Sequence, residues 1–324
     1  MVALLGGVLF LGGASTRLDS GIVSAWPALD AARPPQSCGL TTKSTRLRPG
    51  DVALLVVHCD AAPESVSVRL AGQSLPLFGF PESGGSDASE SSLAGLVGID
   101  VAAPTGKRTV VWKATLPGGR DEGGNLVLSV EPRDFPTQRI RVARRFDELD
   151  ARTLARTEEE QRRLLEVLSG RSPERLWRGP FAAPVSGSGS GFGSRRVVNG
   201  RASSPHSGLD LEAEPGTPVL ASNAGTVALA DTLFFAGGTV VLDHGLGLFT
   251  IYSHLSEISV SPGQRVERGQ PIARSGATGR VTGPHLHWGV RLAGARVDPL
   301  SLLAATGAPL SGSPAPLDET PPDD

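Results

Sequence analysis

The stretch Pro284-His285-Leu286-His287-Trp288 decides how this chain is read. On a strand, residues i and i+2 point to the same face, so both imidazoles would look into one space. The flanks favour a strand. Residues 279–284 read as a loop, and Trp288-Gly289-Val290-Arg291-Leu292 continues an alternation of apolar and polar positions. Two imidazoles side by side suit a metal, or a metal ligand beside a proton-transfer group. A pair of packed aromatic residues on a core strand is the plain alternative, and the doublet alone leaves the two even.

The other histidines shift the balance. Five of the six fall between residues 206 and 287. In His206-Ser207-Gly208-Leu209-Asp210-Leu211 the glycine, the nearby prolines and the alternating leucines argue against a helix. On an extended segment His206 and Asp210, four apart, share a face. His254 ends the strand candidate Thr250-Ile251-Tyr252-Ser253. Two histidines and one carboxylate form a nitrogen and oxygen donor set that suits zinc, and three protein ligands leave a fourth tetrahedral position for water. An open position marks a catalytic zinc, which lowers the pKa of bound water to about 7. Two histidines then remain to take the water's proton, steady the developing oxyanion and donate to a leaving amine. Scattered, unrelated histidines are the bland reading, and clustering beside Gly and Pro turns in a histidine-poor chain weighs against it.

Competing motifs are weak. His254-Leu255-Ser256-Glu257 has a short H-x-x-E spacing, with Glu257 read as a solvated turn residue. No H-E-x-x-H, phosphate loop or G-x-S-x-G elbow occurs. His244 reads as structural, Asp231 and Asp243 as turn formers, and Asp298-Pro299 as a closing turn.

The chain has 324 residues, enough for two domains, with 41 Gly and 26 Pro pointing to many short strands and turns. A formal net charge of −2 gives no basic field for nucleic acid. Residues 2–14 form an uncharged apolar run, the length of a secretory signal core and too short to span a bilayer. With the Pro/Ala-rich spacer after it, this favours export to the periplasm, cell envelope or exterior, although basic residues before the run are missing. Cys38 and Cys59 either pair, closing a loop worth about 3 kcal/mol, or remain free thiols.

Residues 1–36 are thus read as an anchor-like segment with spacer and residues 37–143 as a β-sandwich of immunoglobulin-like size, with residues 82–92 a loop and His58 a structural strand residue. Residues 144–185 form a helical linker, capped at Thr157-Glu158-Glu159-Glu160, with Leu164, Leu165 and Leu168 as its apolar stripe and Gly170 as its C-cap. Ser/Gly alternation over 186–191 reads as flexible and opens a mainly antiparallel, barrel-like β domain over 186–306, in which Asn199-Gly200 marks a hairpin. Residues 307–324 form an acidic, Pro-rich disordered tail.

Three motifs in order, His206-Ser207-Gly208-Leu209-Asp210, Tyr252-Ser253-His254-Leu255 and Gly283-Pro284-His285-Leu286-His287-Trp288, resemble those of the lysostaphin/LytM-type zinc endopeptidases. The resemblance covers roughly residues 191–303, and each motif alone would be weak. It implies a compact, mostly antiparallel β core of the duplicated hybrid motif kind. It also implies that His206, Asp210 and His287 bind one Zn2+, and that His254 and His285 act on the water and the transition state. By the same resemblance the partner is the peptide stems of bacterial peptidoglycan, whose cross-links zinc-bound hydroxide would attack. The N-terminal domain resembles regulatory or docking domains that meet an envelope protein. Some members place an oxyanion-stabilising tyrosine upstream of the first ligand. Here Phe192 stands there, Tyr252 is the one tyrosine, and Arg195, Arg196 or Asn199 could substitute. Relatives that have lost zinc ligands activate other wall hydrolases. A non-cutting activator is the rival reading, against which the retention of all five residues argues.

Overall fold

The computed structural model describes residues 38–80 and 89–307, so the apolar run, its spacer, residues 82–88 of the expected loop and residues 308–324 of the tail lie outside the described residues. Two β units follow one another along the chain and share an apolar contact. In the first, Cys38–Thr42, Val52–Cys59, Ser89–Gly98 and Phe78–Phe80 form one sheet in that spatial order. Arg46–Leu47, Arg120–Val130, Gly106–Leu116, Ser65–Leu70 and Gln73–Ser74 form a second. Leu55, Val57, Val97, Val110 and Leu128 close the space between them. Cys38 pairs with Cys59 in register, and a disulfide joins them.

Val52–Cys59 is apolar along almost its whole length because both its faces are covered. Leu55 and Val57 face the second sheet, whereas Val52, Leu54 and Val56 join Trp177, Leu292, Val297 and Leu302 of the C-terminal unit. Arg296 grips Asp100 across this contact through two hydrogen bonds of 2.7 and 3.0 Å. Arg133, on the connecting segment, donates to Asp298 at 2.9 Å. Asp298 is more than a turn former: its side chain accepts from Leu300 N–H and caps the helix Pro299–Thr306, with Pro299 in the first turn where its missing N–H costs nothing. Serines 89, 91 and 92, expected in a loop, belong to the strand Ser89–Gly98, which Val52–Cys59 and Phe78–Phe80 hold on its two edges.

The helix runs over Ala151–Ser169, about two turns earlier than the capping-box reading places it. Asp150 is the N-cap and accepts from Thr153 N–H at 2.7 Å. Thr157 lies inside the helix and donates its hydroxyl to the Leu154 carbonyl. Gly170 ends the helix as expected. Leu164, Val167 and Leu168 pack on Leu229, Leu233, Val241, Phe249 and Ile251, while Leu165 is exposed and off the stripe. The helix thus lies on the C-terminal sheet and does not bridge open space. Asp231 sits within the strand Gly225–Leu233 and pairs with Arg163 of this helix.

The C-terminal unit is built on an eight-stranded antiparallel sheet. Its spatial order is Gly189–Ser190, Gly208–Leu211, Leu286–Leu292, Leu248–Leu255, Gly237–Asp243, Gly225–Leu233 and Arg265–Val266, with Ala295–Val297 paired to Leu286–Leu292. Gly189–Ser190, expected to be flexible, is the edge of this sheet and pairs with Leu211 and Asp210. Leu286, Trp288, Val290 and Leu292 are buried on one face. His287, Gly289 and Arg291 therefore occupy the other. Ile251 lies opposite Gly289 and Phe249 opposite Arg291, so the helix covers one end of that second face and leaves the His287 end open. Asn199 and Gly200 both adopt positive φ at the tip of the hairpin between Arg195–Val198 and Arg201–Ala202, as an Asn-Gly turn requires. Thr137–Ile140 adds to this hairpin in parallel. Among the described residues no helix is long and apolar enough to cross a membrane.

Candidate metal centre

Strand pairing brings the first cluster together. Asp210 lies directly opposite His287, so both side chains stand on one face. His206, just before this strand, reaches back over it. Its Nε2 lies 3.0 Å from Asp210 Oδ1 and 3.0 Å from His287 Nδ1, and His287 Nδ1 lies 2.9 Å from the same Oδ1. The three donor atoms thus form a triangle with sides close to 3 Å. Bonds of ~2.1 Å at tetrahedral angles place ligand atoms ~3.4 Å apart, so a small opening of this triangle accommodates zinc. Among the described residues this is the single group of three or more potential ligands that converges.

The surroundings fix how each group presents itself. His206 Nδ1–H donates to the Gly191 carbonyl at 2.8 Å, which leaves the Nε2 lone pair for the centre. Gly191 has φ +92°, and a Cβ there would meet His206 Nδ1 at 2.9 Å, so both backbone angle and space call for glycine. Asp210 divides its oxygens: Oδ1 faces the histidines, and Oδ2 accepts from Arg196 Nη2 at 3.1 Å. Burial works against ionisation of Asp210, but the His206 and His287 rings beside it outweigh burial and hold the carboxyl well below its ordinary range. Burial also lowers the pKa of His287, keeping it neutral as a ligand must be.

His254 and His285 flank this triangle. Their ring centroids are 4.8 Å apart, and His254 is 6.0 Å from His287. Ser253 pairs with His287, so simple alternation would send His254 to the opposite face. A φ of +65° turns it back. Such a conformation costs an L-residue about 1–2 kcal/mol and persists where the surroundings enforce it. Here the His254 N–H donates to the Ala236 carbonyl at 2.8 Å, and its Nδ1–H donates to the Thr278 carbonyl at 2.8 Å. His285 Nδ1–H likewise donates to the Gly283 carbonyl at 2.9 Å, and its Nε2 stands 3.6 Å from Asp210 Oδ1. Both rings therefore keep Nε2 as an acceptor. Burial, then the neighbouring His287, holds His254 down to about 3. His285 itself makes a bridge to Gly276 and lies one residue ahead of the strand Leu286–Leu292.

All five residues singled out by spacing thus converge. The remaining candidates separate. The Tyr252 side chain is fully buried, with its hydroxyl held by Ser222 and Thr250 away from the cluster. His244 joins that network through Thr250 and donates to the Ala224 carbonyl, a structural role. Asn199 is tied to Val142 through both ends of its amide, and Arg195 is exposed. Of the three proposed substitutes for a tyrosine, Arg196 alone contacts the centre. Its bond to Asp210 and the three carbonyl anchors were not read from the sequence. The glycines at 191 and 283 were the available signal.

Residues 204–299 match the description Peptidase family M23. The chain is similar to the peptidoglycan DD-endopeptidase ShyA of Vibrio cholerae serotype O1, 51% identical over 84 residues, which are 26% of this chain and 20% of that protein. It therefore spans about a fifth of the length of that curated relative. A crystal structure assigned to peptidase M23 from Pseudomonas aeruginosa superposes with a TM-score of 0.58 at 29% identity, covering 79% of this chain and 95% of the other. The catalytic domain of a point mutant of the prophage-encoded M23 protein EnpA from Enterococcus faecalis is 31% identical, with 36% of this chain and 94% of that domain covered and a TM-score of 0.32. Through its mainly β C-terminal domain, the chain belongs to peptidase family M23, the LytM/lysostaphin family.

Proposed function

We propose that this chain is a zinc-dependent endopeptidase that hydrolyses peptide cross-links of bacterial peptidoglycan and works in the cell envelope after export. One observation carries the reading: three donor atoms of His206, Asp210 and His287 about 3 Å apart, with two further imidazoles beside them. Zinc held there would polarise a peptide carbonyl and make hydroxide available near neutral pH.

The residues of the chain supply the rest. His206 through Nε2, His287 through Nδ1 and Asp210 through Oδ1 would hold the metal, and Arg196 orients the carboxylate. His285 and His254 present Nε2 acceptors to the same space, so each can accept a proton from the attacking water. Once protonated, the imidazolium can donate to the tetrahedral oxygen and then to the leaving amine. The N-terminal unit contributes none of these five groups, which is compatible with docking on an envelope partner.

The similarity to a DD-endopeptidase supports a D-alanyl to diaminopimelate bond as the target. The test is digestion of defined cross-linked muropeptides, with and without a chelator, followed by mass spectrometry. Dimers should fall to monomers with zinc and persist without it. If dimers survive at every concentration of zinc-loaded protein, the hydrolase reading is wrong and the activator reading takes its place.

A further inference from the structure

Arg196 supports the metal cluster through Asp210, and Arg280 follows two residues after Thr278, whose carbonyl holds the His254 ring. Arg196 donates to Asp210 Oδ2 at 3.1 Å, while its Nε is buried with no hydrogen-bond partner. Arg280 belongs to the loop that runs into His285. Its guanidinium carbon lies 4.6 Å from the centroid of the Phe235 ring, and its backbone N–H donates to the Phe235 carbonyl at 2.8 Å. The side chain is half-buried, yet among the described residues no carboxylate lies within ion-pair distance of it. Asp147, the acid whose charge it feels, is 3.7 Å from Arg201 instead. Burial lowers the pKa of Arg280, and the positive charge of Arg196 acts in the same direction.

A partly desolvated guanidinium with no carboxylate partner is relieved when an anion settles against it. A guanidinium stacked on a ring keeps its planar N–H edge free for a carboxylate. The proposed substrate carries such a group. In a D-alanyl to diaminopimelate cross-link, the residue that supplies the amine keeps a free carboxylate on the carbon next to the scissile nitrogen. A glycine bridge has no charge on either side of the bond cut.

We infer that Arg280 receives a free substrate carboxylate adjacent to the scissile bond, so that this chain selects an anionic peptide cross-link over an uncharged one. The inference rests on the hydrolase reading and adds a specificity residue to it.

The experiment uses the zinc-loaded chain with three substrates: a D-alanyl to diaminopimelate dimer, the same dimer with that carboxylate amidated, and a glycine-bridged dimer. Amidation should lower kcat/KM by about tenfold or more, the usual scale for a charge-assisted contact. Arg280→Gln should raise KM for the carboxylate dimer by a similar factor, leave kcat within about twofold, and leave the amidated dimer unchanged. Arg280→Lys should recover part of the loss. Equal kcat/KM of the parent chain on the carboxylate and amidated dimers overturns the inference while the hydrolase reading stands. That comparison holds even if the variants fold poorly. An equal rise in KM on both dimers in Arg280→Gln overturns it too. Cleavage of none of the three removes the hydrolase reading and the inference with it.

Discussion

Gly208, in the middle of His206-Ser207-Gly208-Leu209-Asp210, offers a test of the metal centre that touches no ligand. An alanine Cβ at this position would lie 2.7 Å from the Cε1 and Nε2 atoms of His287 and 2.6 Å from the carbonyl oxygen of Trp288. The carbonyl belongs to the paired strand and cannot retreat without opening the ladder between Gly208 and Gly289. The imidazole must therefore withdraw by about 0.7 Å to reach ordinary van der Waals contact. Zinc bonds tolerate about ±0.2 Å, so a displacement of that size breaks the ligand geometry. The expected loss in zinc affinity is roughly 10–100-fold, or about 1.4–2.8 kcal/mol. Overpacking adds about 1–3 kcal/mol of destabilisation in the zinc-free chain. Competition with a chromogenic chelator measures the first effect and denaturant unfolding the second. Gly283→Ala is the control, because its Cβ would meet nothing within 4 Å and the carbonyl that holds His285 remains. A folded Gly208→Ala chain with parental zinc affinity would refute both the contact and the assignment of His287 as a ligand.

Other expectations follow from the same geometry. His285→Ala should lower peptide cleavage by about 10²–10⁴-fold with zinc still bound one per chain; loss of the metal, read by elemental analysis, would show that the ligand assignment is wrong. Arg196→Gln frees Asp210 Oδ2 and should weaken zinc binding by about tenfold in a chelator titration, so an unchanged affinity would assign the pair no supporting role. Burial pushes the His244 imidazole down to about 4, whereas an unfolded histidine titrates near 6.5. Between those values the unfolded chain binds a proton that the folded chain refuses. The contribution is complete above about pH 6.5 and is lost as pH falls to about 4, by roughly 3 kcal/mol. Unfolding curves at pH 7 and pH 4.5 for the parent and His244→Gln should show a smaller decline in the variant; equal declines would contradict the assignment.

What the sequence reveals and conceals divides along physical lines. Alternating runs such as Ser65–Leu70 announce a sheet because burying one face demands that period. The Asn199-Gly200 turn is legible for a local reason, the positive φ at both positions. The helix start was misplaced because Asp150 and Thr157 both offer capping oxygens. Tertiary contact decides between them: Glu160, read as part of a cap, accepts from the Phe234 N–H and pairs with Arg156, which fastens the helix to the sheet. Gly189–Ser190 and Thr137–Ile140 are too short to carry a period, and their long-range partners make them strands.

The site follows the same division at a finer scale. Side-chain identity and spacing single out His206, Asp210, His285 and His287, which strand periodicity directs to one face, whereas His254 joins them only through the positive φ that breaks the alternation. Spacing says nothing about which nitrogen carries a proton. For His206, His254 and His285 that choice is made by the carbonyls of Gly191, Thr278 and Gly283, groups that every residue possesses. A carbonyl can serve this way only if the loop bearing it approaches the ring closely, which is why Gly191 lacks room for a Cβ. Loop shape therefore governs the protonation pattern, and substitutions that bend these loops should impair the centre while leaving all five residues in place.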